Sequence, residues 1–416
     1  MEYFITEVRI ENVRHLKNIN IALNNQSRQH LILTVKNGSG KTSVLEEISK
    51  NLLLLNRSVK TDFLRTVRYI KESREVLKTK KNKQDIEAIA QSIAAKQSIL
   101  KAVLNSNNEL GLELVYNSEE ELPELYQHGD FITAFFNATR PSNDIKSAHG
   151  VEDIKLPTTV EITKSPAHDI IKYMVHLKTQ QSFAKNENDI QNEHNIKEWF
   201  ERFENALRTL LDDDSITLKY DYKNYNFVIL QKNREPSGLN ELSDGYSSIL
   251  RILSDLILRM DQNWLLKNQL SDYNKEGVVL IDEIETHLHI ELQRKILPFL
   301  TEFFPRLQFI VSTHSPYVLT SISNAVVFDL EKQVALTDLS EYSTEDVANG
   351  FFEADSYSVE MEKILNRYKE LLTKQDISDD ERAERADLRT RLKNAPGELA
   401  RTFRIKFEEI EKGRKK

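Results

Sequence analysis

Leu31-Ile32-Leu33-Thr34-Val35-Lys36-Asn37-Gly38-Ser39-Gly40-Lys41-Thr42-Ser43 decides how the chain is read. Leu31 to Val35 is an apolar run with the length of a buried strand. A Gly-containing loop follows, and after Ser43 the spacing of Val44, Leu45 and Ile48 is helical. Strand, Gly loop, Gly-Lys-Thr and helix make a P-loop arrangement. A polyphosphate needs several backbone N–H groups converging on it, and a Gly-rich turn lets the backbone come that close. The helix N-terminus adds a favourable partial positive charge. The candidate phosphate-binding residues are therefore Lys36, Asn37, Gly38, Ser39, Gly40, Lys41, Thr42 and Ser43. Lys41 would reach the β- and γ-phosphates, and the Thr42 hydroxyl would hold Mg²⁺.

One position departs from the usual spacing. The Gly expected five residues before Gly40 is Val35. A β-branched residue at positive φ is strained by roughly 1–3 kcal/mol. The loop therefore opens with another backbone shape, or nucleotide binding and turnover are impaired.

Composition narrows the classes. The 416 residues allow one large domain with insertions, or two to three domains. A hydrophobic content of 39% supports a real core. The net charge of −8 argues against a protein that coats nucleic acid nonspecifically. Without cysteine there is no disulfide framework, no Cys-based zinc site and no thiol nucleophile. The start, MEYFITEVRIENV, lacks a basic region followed by an apolar one, so no signal peptide is expected. No apolar run approaches the ~18 residues a membrane span needs. A soluble cytoplasmic protein with no membrane partner is the expectation.

Strand patterns at Phe4 to Ile10 and Leu16 to Leu23 feed the P-loop strand, and the following helix runs to about Leu55. From Asp62 to Leu104 there is neither Gly nor Pro. Leu64, Val67, Ile70 and Leu77 form one helical stripe, and Ile86, Ile89, Ile93, Leu100 and Val103 form a second. Between them lies Lys78-Thr79-Lys80-Lys81-Asn82-Lys83. An antiparallel helical hairpin with a basic tip and arms roughly 30 Å long is expected. That tip would touch nucleic acid or a protein partner, or be a solvated turn. Strands are expected at Leu112 to Tyr116, Phe131 to Asn137 and Thr159 to Ile162, and helices at Ala167 to Phe183 and Ile196 to Leu211. Thr217 to Tyr222 and Asn226 to Leu230 read as a strand pair, and Leu242 opens a helix through Met260. Val278 to Ile281 and Leu307 to Val311 have the apolar character of buried parallel strands. Val326 to Leu330 and Val334 to Asp338 finish the sheet. From Glu341 the chain is charged and helical, with a capping box at Ser378 and Glu381 and a break at Pro396-Gly397.

Three further stretches carry chemistry. In Gly277-Val278-Val279-Leu280-Ile281-Asp282-Glu283 an apolar strand ends in two acids, where open α/β sheets bind ligands. Asp282 would hold Mg²⁺, and Glu283 would orient and polarise the attacking water. Leu242-Ser243-Asp244-Gly245-Tyr246-Ser247-Ser248 directly precedes a helix and offers a second anion-binding corner. Ser243 or Asp244 would equally serve as an ordinary N-cap there. In Phe309-Ile310-Val311-Ser312-Thr313-His314-Ser315-Pro316, His314 sits just past a buried strand, within reach of a γ-phosphate.

In this order the motifs resemble those of ABC-type ATPases, closest to the soluble SMC-like and OLD-like branch. They span Leu31 to Pro316. The resemblance implies an α/β fold: a P-loop NTPase of ABC type with a central mixed sheet. It adds an inserted antiparallel coiled-coil hairpin, a helical signature lobe and a helical C-terminal tail. The implied divisions are 1–57 (ATPase lobe with the P-loop), 58–106 (hairpin) and 107–163 (rest of the first lobe). Then come 164–276 (helical signature lobe), 277–340 (Asp282, Glu283 and His314) and 341–416 (C-terminal helices). ATP and Mg²⁺ are the implied cofactors, with Thr42 and Asp282 on the metal and Glu283 and His314 as catalytic residues. Two copies would pack head to tail, so that Ser243 and Gly245 of one complete the nucleotide site of the other. Glu285-Thr286-His287-Leu288-His289 corresponds to a subunit-contact loop rather than a metal site. The family also uses a Gln between its lobes. Gln180 and Gln181 are candidates, while Phe136-Asn137-Ala138-Thr139-Arg140 sits nearer the expected place without a Gln.

More narrowly, the motifs with the short hairpin resemble ATPase subunits of the Septu, PARIS and retron-linked anti-phage defence systems. This implies an ATP-hydrolysing sensor and scaffold controlling a separate effector, a nuclease or toxin of HNH or TOPRIM type. The chain shows no nuclease motif of its own after Asp338. A DNA-binding repair or maintenance ATPase of RecF-like or SMC-like type is the alternative, with nucleic acid as partner. A transporter's ATPase subunit fits the hairpin and tail poorly.

Overall fold

The computed structural model of the chain describes residues 2–34, 40–79, 83–104, 110–140, 145, 147–152, 154, 156–261, 273–352, 359–374 and 376–393. They divide into two compact units, Met1–Thr344 and Glu345–Lys416. The first begins with strands β1 (Ile5–Val13), β2 (Leu16–Ala22) and β3 (His30–Thr34), then helices α1 (Lys41–Leu53), α2 (Arg57–Thr79) and α3 (Lys83–Leu104). Next come β4 (Leu112–Tyr116), α4 (Leu122–His128) and β5 (Phe131–Phe136). Helices α5 (Ile170–Asn186) and α6 (Ile190–Leu211) precede β6 (Thr217–Asp221), β7 (Asn226–Leu230) and β8 (Ser237–Gly238). The unit closes with α7 (Asp244–Met260), β9 (Glu276–Ile281), α8 (Ile290–Phe303), β10 (Leu307–Thr313), α9 (Pro316–Leu319), β11 (Ala325–Asp329) and β12 (Val334–Thr337).

The main sheet is mixed, in the order β12-β11-β3-β10-β9-β5. Only the β11–β12 pair is antiparallel. Strands β3, β9 and β10 are buried along their whole length, as expected for parallel strands covered on both faces. The register sets Thr34 beside Thr313, and Ile281 beside both Val311 and Phe136. The C-terminal ends of β3, β5, β9 and β10 therefore share one edge of the sheet. A second, antiparallel sheet, β2-β1-β4, shares a core with α1 and the main sheet. Val44, Leu45, Ile48 and Leu52 of α1 meet Val8, Ile10, Ile21 and Leu114 from the small sheet and Leu31, Leu33, Leu280 and Ile310 from the large one. The apolar spacing read after Ser43 is thus the buried face of α1.

Helices α2 and α3 pack on each other through Ile70 and Ile93, with Phe63, Val67, Leu77 and Ile89 against them. Leu64, expected in the same stripe, is 54% exposed instead. Phe63 takes its place, because one residue's shift turns a side chain about 100° around a helix. Residues 80–82 of the basic tip lie outside the described residues. On α6 the aromatic face expected at Trp199, Phe200, Phe203 and Leu207 is buried throughout.

Two local expectations are corrected. Thr159 to Ile162 forms no strand. The segment touches β5 through one backbone hydrogen bond, from the Phe135 N–H to the Ile162 carbonyl at 2.9 Å, and the carbonyls of Val160, Glu161 and Lys164 accept from the guanidinium of buried Arg259. Helix α4 was not anticipated, although Pro123 in its first turn and Gly129 in the left-handed conformation at its end are ordinary boundary signals.

Helix α10 (Thr344–Phe352) begins at the last residue of the first unit, and the second unit holds the rest of it with α11 (Val359–Thr373) and α12 (Asp379–Lys393). The expected capping box is formed: the Ser378 N–H donates to Glu381 Oε2 at 3.0 Å, and the Glu381 N–H to Ser378 Oγ at 3.2 Å. Arg367 of α11 pairs with Glu384 of α12 at 2.8 Å. Pro396 and Gly397 lie outside the described residues.

Candidate active site

Gly40 is the N-cap of α1, and its φ of 96° lies where only glycine is unstrained. A Cβ there would also sit 3.4 Å from Leu16 Cδ1. Val35, Lys36, Asn37, Gly38 and Ser39 lie outside the described residues, so the departure at Val35 stays an expectation. From Gly40 onward the loop is defined. Lys41 is buried, Thr42 is exposed, and Ser43 is buried with its hydroxyl unpartnered among the described residues.

Segments far apart in sequence converge here. The Thr42 hydroxyl donates to Asp282 Oδ2 at 2.8 Å. Lys41 Nζ lies 2.6 Å from His314 Nε2. Asp282 is buried, and its other oxygen accepts from Ser312 Oγ at 2.5 Å. The same Ser312 hydroxyl accepts from the Glu283 N–H at 2.8 Å. Glu283 follows at φ 45°, a left-handed conformation that costs a side-chain-bearing residue about 1–3 kcal/mol. Its N–H is held by Ser312, its carbonyl oxygen by Arg140 Nη2 at 2.7 Å, and its carboxylate by Thr286 Oγ1 at 3.2 Å. Glu285 ties β9 to β10, accepting from Thr313 Oγ1 at 2.7 Å and from the His314 N–H at 2.5 Å.

The electrostatics fit these distances. Burial pushes the Lys41 ammonium down, while Glu283, Asp282 and Glu285 oppose it. Burial also lowers His314, with Lys41 adding to that effect and the carboxylates opposing it. His314 is therefore neutral near pH 7, and its Nε2 accepts from the lysine. A hydroxyl and a carboxylate oxygen side by side are the hard donors that Mg²⁺ prefers, so Thr42 and Asp282 fit that ion.

Ser243 and Gly245 lie at the start of α7. Ser243 is the exposed N-cap, yet its side chain makes no capping hydrogen bond. Gly245 is buried, and a Cβ there would lie 2.7 Å from the His287 carbonyl oxygen. This turn thus rests on the main chain at His287, and only glycine permits the approach. Gln180 and Gln181 both lie inside α5, within the helix expected from Ala167 to Phe183, and Gln181 Oε1 accepts from Lys178. Ser312, Thr286 and Arg140 were not among the expected site residues. Ser312 had a signal, a hydroxyl directly after the apolar run of β10.

A family model described as "AAA domain, putative AbiEii toxin, Type IV TA system" matches residues 36–320. The chain belongs to this AAA-domain family. The matched residues of the family domain include every segment of the cluster above. The chain is 23% identical to a Septu protein PtuA from Bacillus mycoides (strain KBAB4), over 94% of this chain and 50% of that protein. It is 24% identical to the retron Vc95 probable ATPase of Vibrio cholerae serotype O1 biovar El Tor, over 76% of this chain and 72% of that protein. A shorter match to the retron Ec83 probable ATPase of Escherichia coli is 36% identical over 25% of this chain and 19% of that protein. The chain thus spans about half the length of the Septu relative. An SMC head bound to the C-winged helix domain of ScpA overlaps 82% of this chain and all of its own, with a TM-score of 0.41 and 11% identity.

Proposed function

We propose that this chain is an ATP-hydrolysing subunit of an anti-phage defence system, and that it controls a separate effector through ATP-dependent changes of an oligomer. The observation that carries the catalytic part is the convergence of Lys41 and Thr42 with Asp282, Glu283 and His314. The defence context rests on the Septu and retron relatives.

In this reading Lys36 to Ser43 hold the phosphates. Thr42 and Asp282 would hold Mg²⁺, which supplies neutralisation of phosphate charge. Glu283 accepts the proton of the attacking water, and its threefold-tethered turn fixes where that carboxylate stands. Neutral His314 senses the terminal phosphate through Lys41, which it holds by accepting from Nζ through Nε2. Ser243 and Gly245 complete the site of a second, head-to-tail copy, for which an exposed and uncapped Ser243 hydroxyl is suited. The effector is a nuclease or toxin of HNH or TOPRIM class, docked on α2–α3 or on the C-terminal helices.

ATP binding and turnover of the purified chain test this. Glu283→Gln is expected to bind ATP as the native chain does and to lose about 10²–10⁴-fold in kcat. Val35→Gly reports whether Val35 slows turnover. A native chain that binds no ATP beside a Val35→Gly variant that does would make this a regulatory scaffold instead.

A further inference from the structure

Arg140 lies just past β5, whose neighbour β9 ends in Asp282 and Glu283 at the same edge of the sheet. It is 6% exposed. One N–H of its guanidinium reaches the Glu283 carbonyl oxygen at 2.7 Å. Its Nε and Nη1 are buried and have no hydrogen-bond partner among the described residues.

A guanidinium taken out of water with open N–H groups is costly, which is why buried arginines are normally satisfied. Arg259 of the same chain shows the ordinary arrangement. Its Nε is paired with Asp255 at 2.6 Å, and its Nη1 reaches the carbonyls of Thr133 and Val160 at 2.8 and 3.0 Å. Arg28 also leaves buried N–H groups without a hydrogen bond, and Arg140 differs from it in doing so while it holds the Glu283 turn of the candidate site. The carboxylates that act on it, Glu285, Asp282 and Glu283, are the same three that act on Lys41. Two cations from different segments thus flank one acidic cluster, and one of them has donors free for an anion.

We propose that Arg140 binds an oxygen of the terminal phosphate of a nucleoside triphosphate through its open N–H groups, and couples that anion to the Glu283 turn through Nη2. The inference rests on the nucleotide-site reading above and adds a residue to it. Arginine suits the task because its charge persists in a buried setting and its donors are spread around a rigid plane. The arrangement distinguishes tri- from diphosphate: with the terminal phosphate gone, Lys41 still faces the rest, whereas Arg140 loses its ligand.

The test is calorimetric titration of the full chain with ATPγS and with ADP, each with Mg²⁺, for the native protein, Arg140→Gln and Arg140→Lys. Arg140→Gln is expected to weaken ATPγS by about tenfold or more, the size of one charge-assisted contact, and ADP by less than about twofold. Arg140→Lys is expected to recover part of the ATPγS affinity. Equal losses for both nucleotides, or no loss for either, would overturn the assignment. Should Arg140→Gln fail to fold by circular dichroism, the same selective loss, smaller in size, is required of Arg140→Lys. A native chain that binds neither nucleotide would overturn the nucleotide-site reading itself, and this inference with it.

Discussion

His30, on β3, shows how a single side chain sets a condition on the fold. It is buried, its Nδ1 accepts from the Phe309 N–H at 3.1 Å, and burial lowers its pKa to about 4, with the nearby Arg28 charge adding to the effect. The unfolded chain takes up that proton near pH 6.5, whereas the folded chain resists it until about pH 4. The unfolded state therefore holds more protons throughout that window, and folding stability falls as the pH drops through it. The full difference is about 3 kcal/mol. His30→Gln keeps an acceptor without the titration. Urea unfolding between pH 7 and pH 4 is expected to show a steeper loss for the native chain than for His30→Gln. Parallel curves would count against the neutral buried imidazole. Glu283 poses the same kind of condition at the site: its left-handed backbone persists because Ser312 and Arg140 hold both of its peptide groups.

At the scale of elements, buried side chains that cross between segments do what ladders alone cannot. Gln308 of β10 accepts from the Ile5 N–H at 2.7 Å and donates to the Ile5 carbonyl at 2.9 Å and the Gln29 carbonyl at 2.8 Å. One side chain thereby joins the small sheet to the large one. Arg259 of α7 plays the corresponding part for β5 and the segment 160–164, using Asp255 as its counter-charge. Arg259→Met is expected to destabilise the first unit by about 3–5 kcal/mol, because Asp255 would be left charged, buried and unpaired. Adding Asp255→Leu to Arg259→Met should return part of that loss in the urea midpoint. No recovery would mean that the unsatisfied carbonyls, not the charge, dominate.

At the scale of the whole molecule, the proposed head-to-tail oligomer makes a prediction that needs two variants. Lys41→Ala disables a copy's own phosphate site, and Ser243→Arg disables what it offers to its neighbour. Each is expected to lack turnover alone. Mixed, they should recover activity, because one of the two reciprocal sites in a pair made of one copy of each variant then has neither lesion. If the mixture stays as inactive as its parts, the site is complete within one chain and the trans arrangement falls.

The apolar runs at Leu31, Val278 and Leu307 announced β3, β9 and β10, since a strand covered on both faces has to be apolar without alternation. The spacing of Val44, Leu45 and Ile48 likewise declared the buried face of α1. Lys41, Thr42, Asp282, Glu283 and His314 were legible because each stands at the end of such an element, where local pattern and chemistry coincide. Sequence by itself therefore determined most of the elements and which residues stand at the ends of β9 and β10 and at the start of α1, where the candidate site gathers. Only the tertiary structure decided that Thr159 to Ile162 would serve Arg259 rather than a strand, and that Ser312 would hold Asp282 and Glu283 together. It also decided that Arg140 would enter the site with open donors. The physical reason is common to all three. Periodicity and turn chemistry are properties of neighbouring residues, whereas the partner of a buried polar group is set by whichever distant segment the packed sheet brings against it.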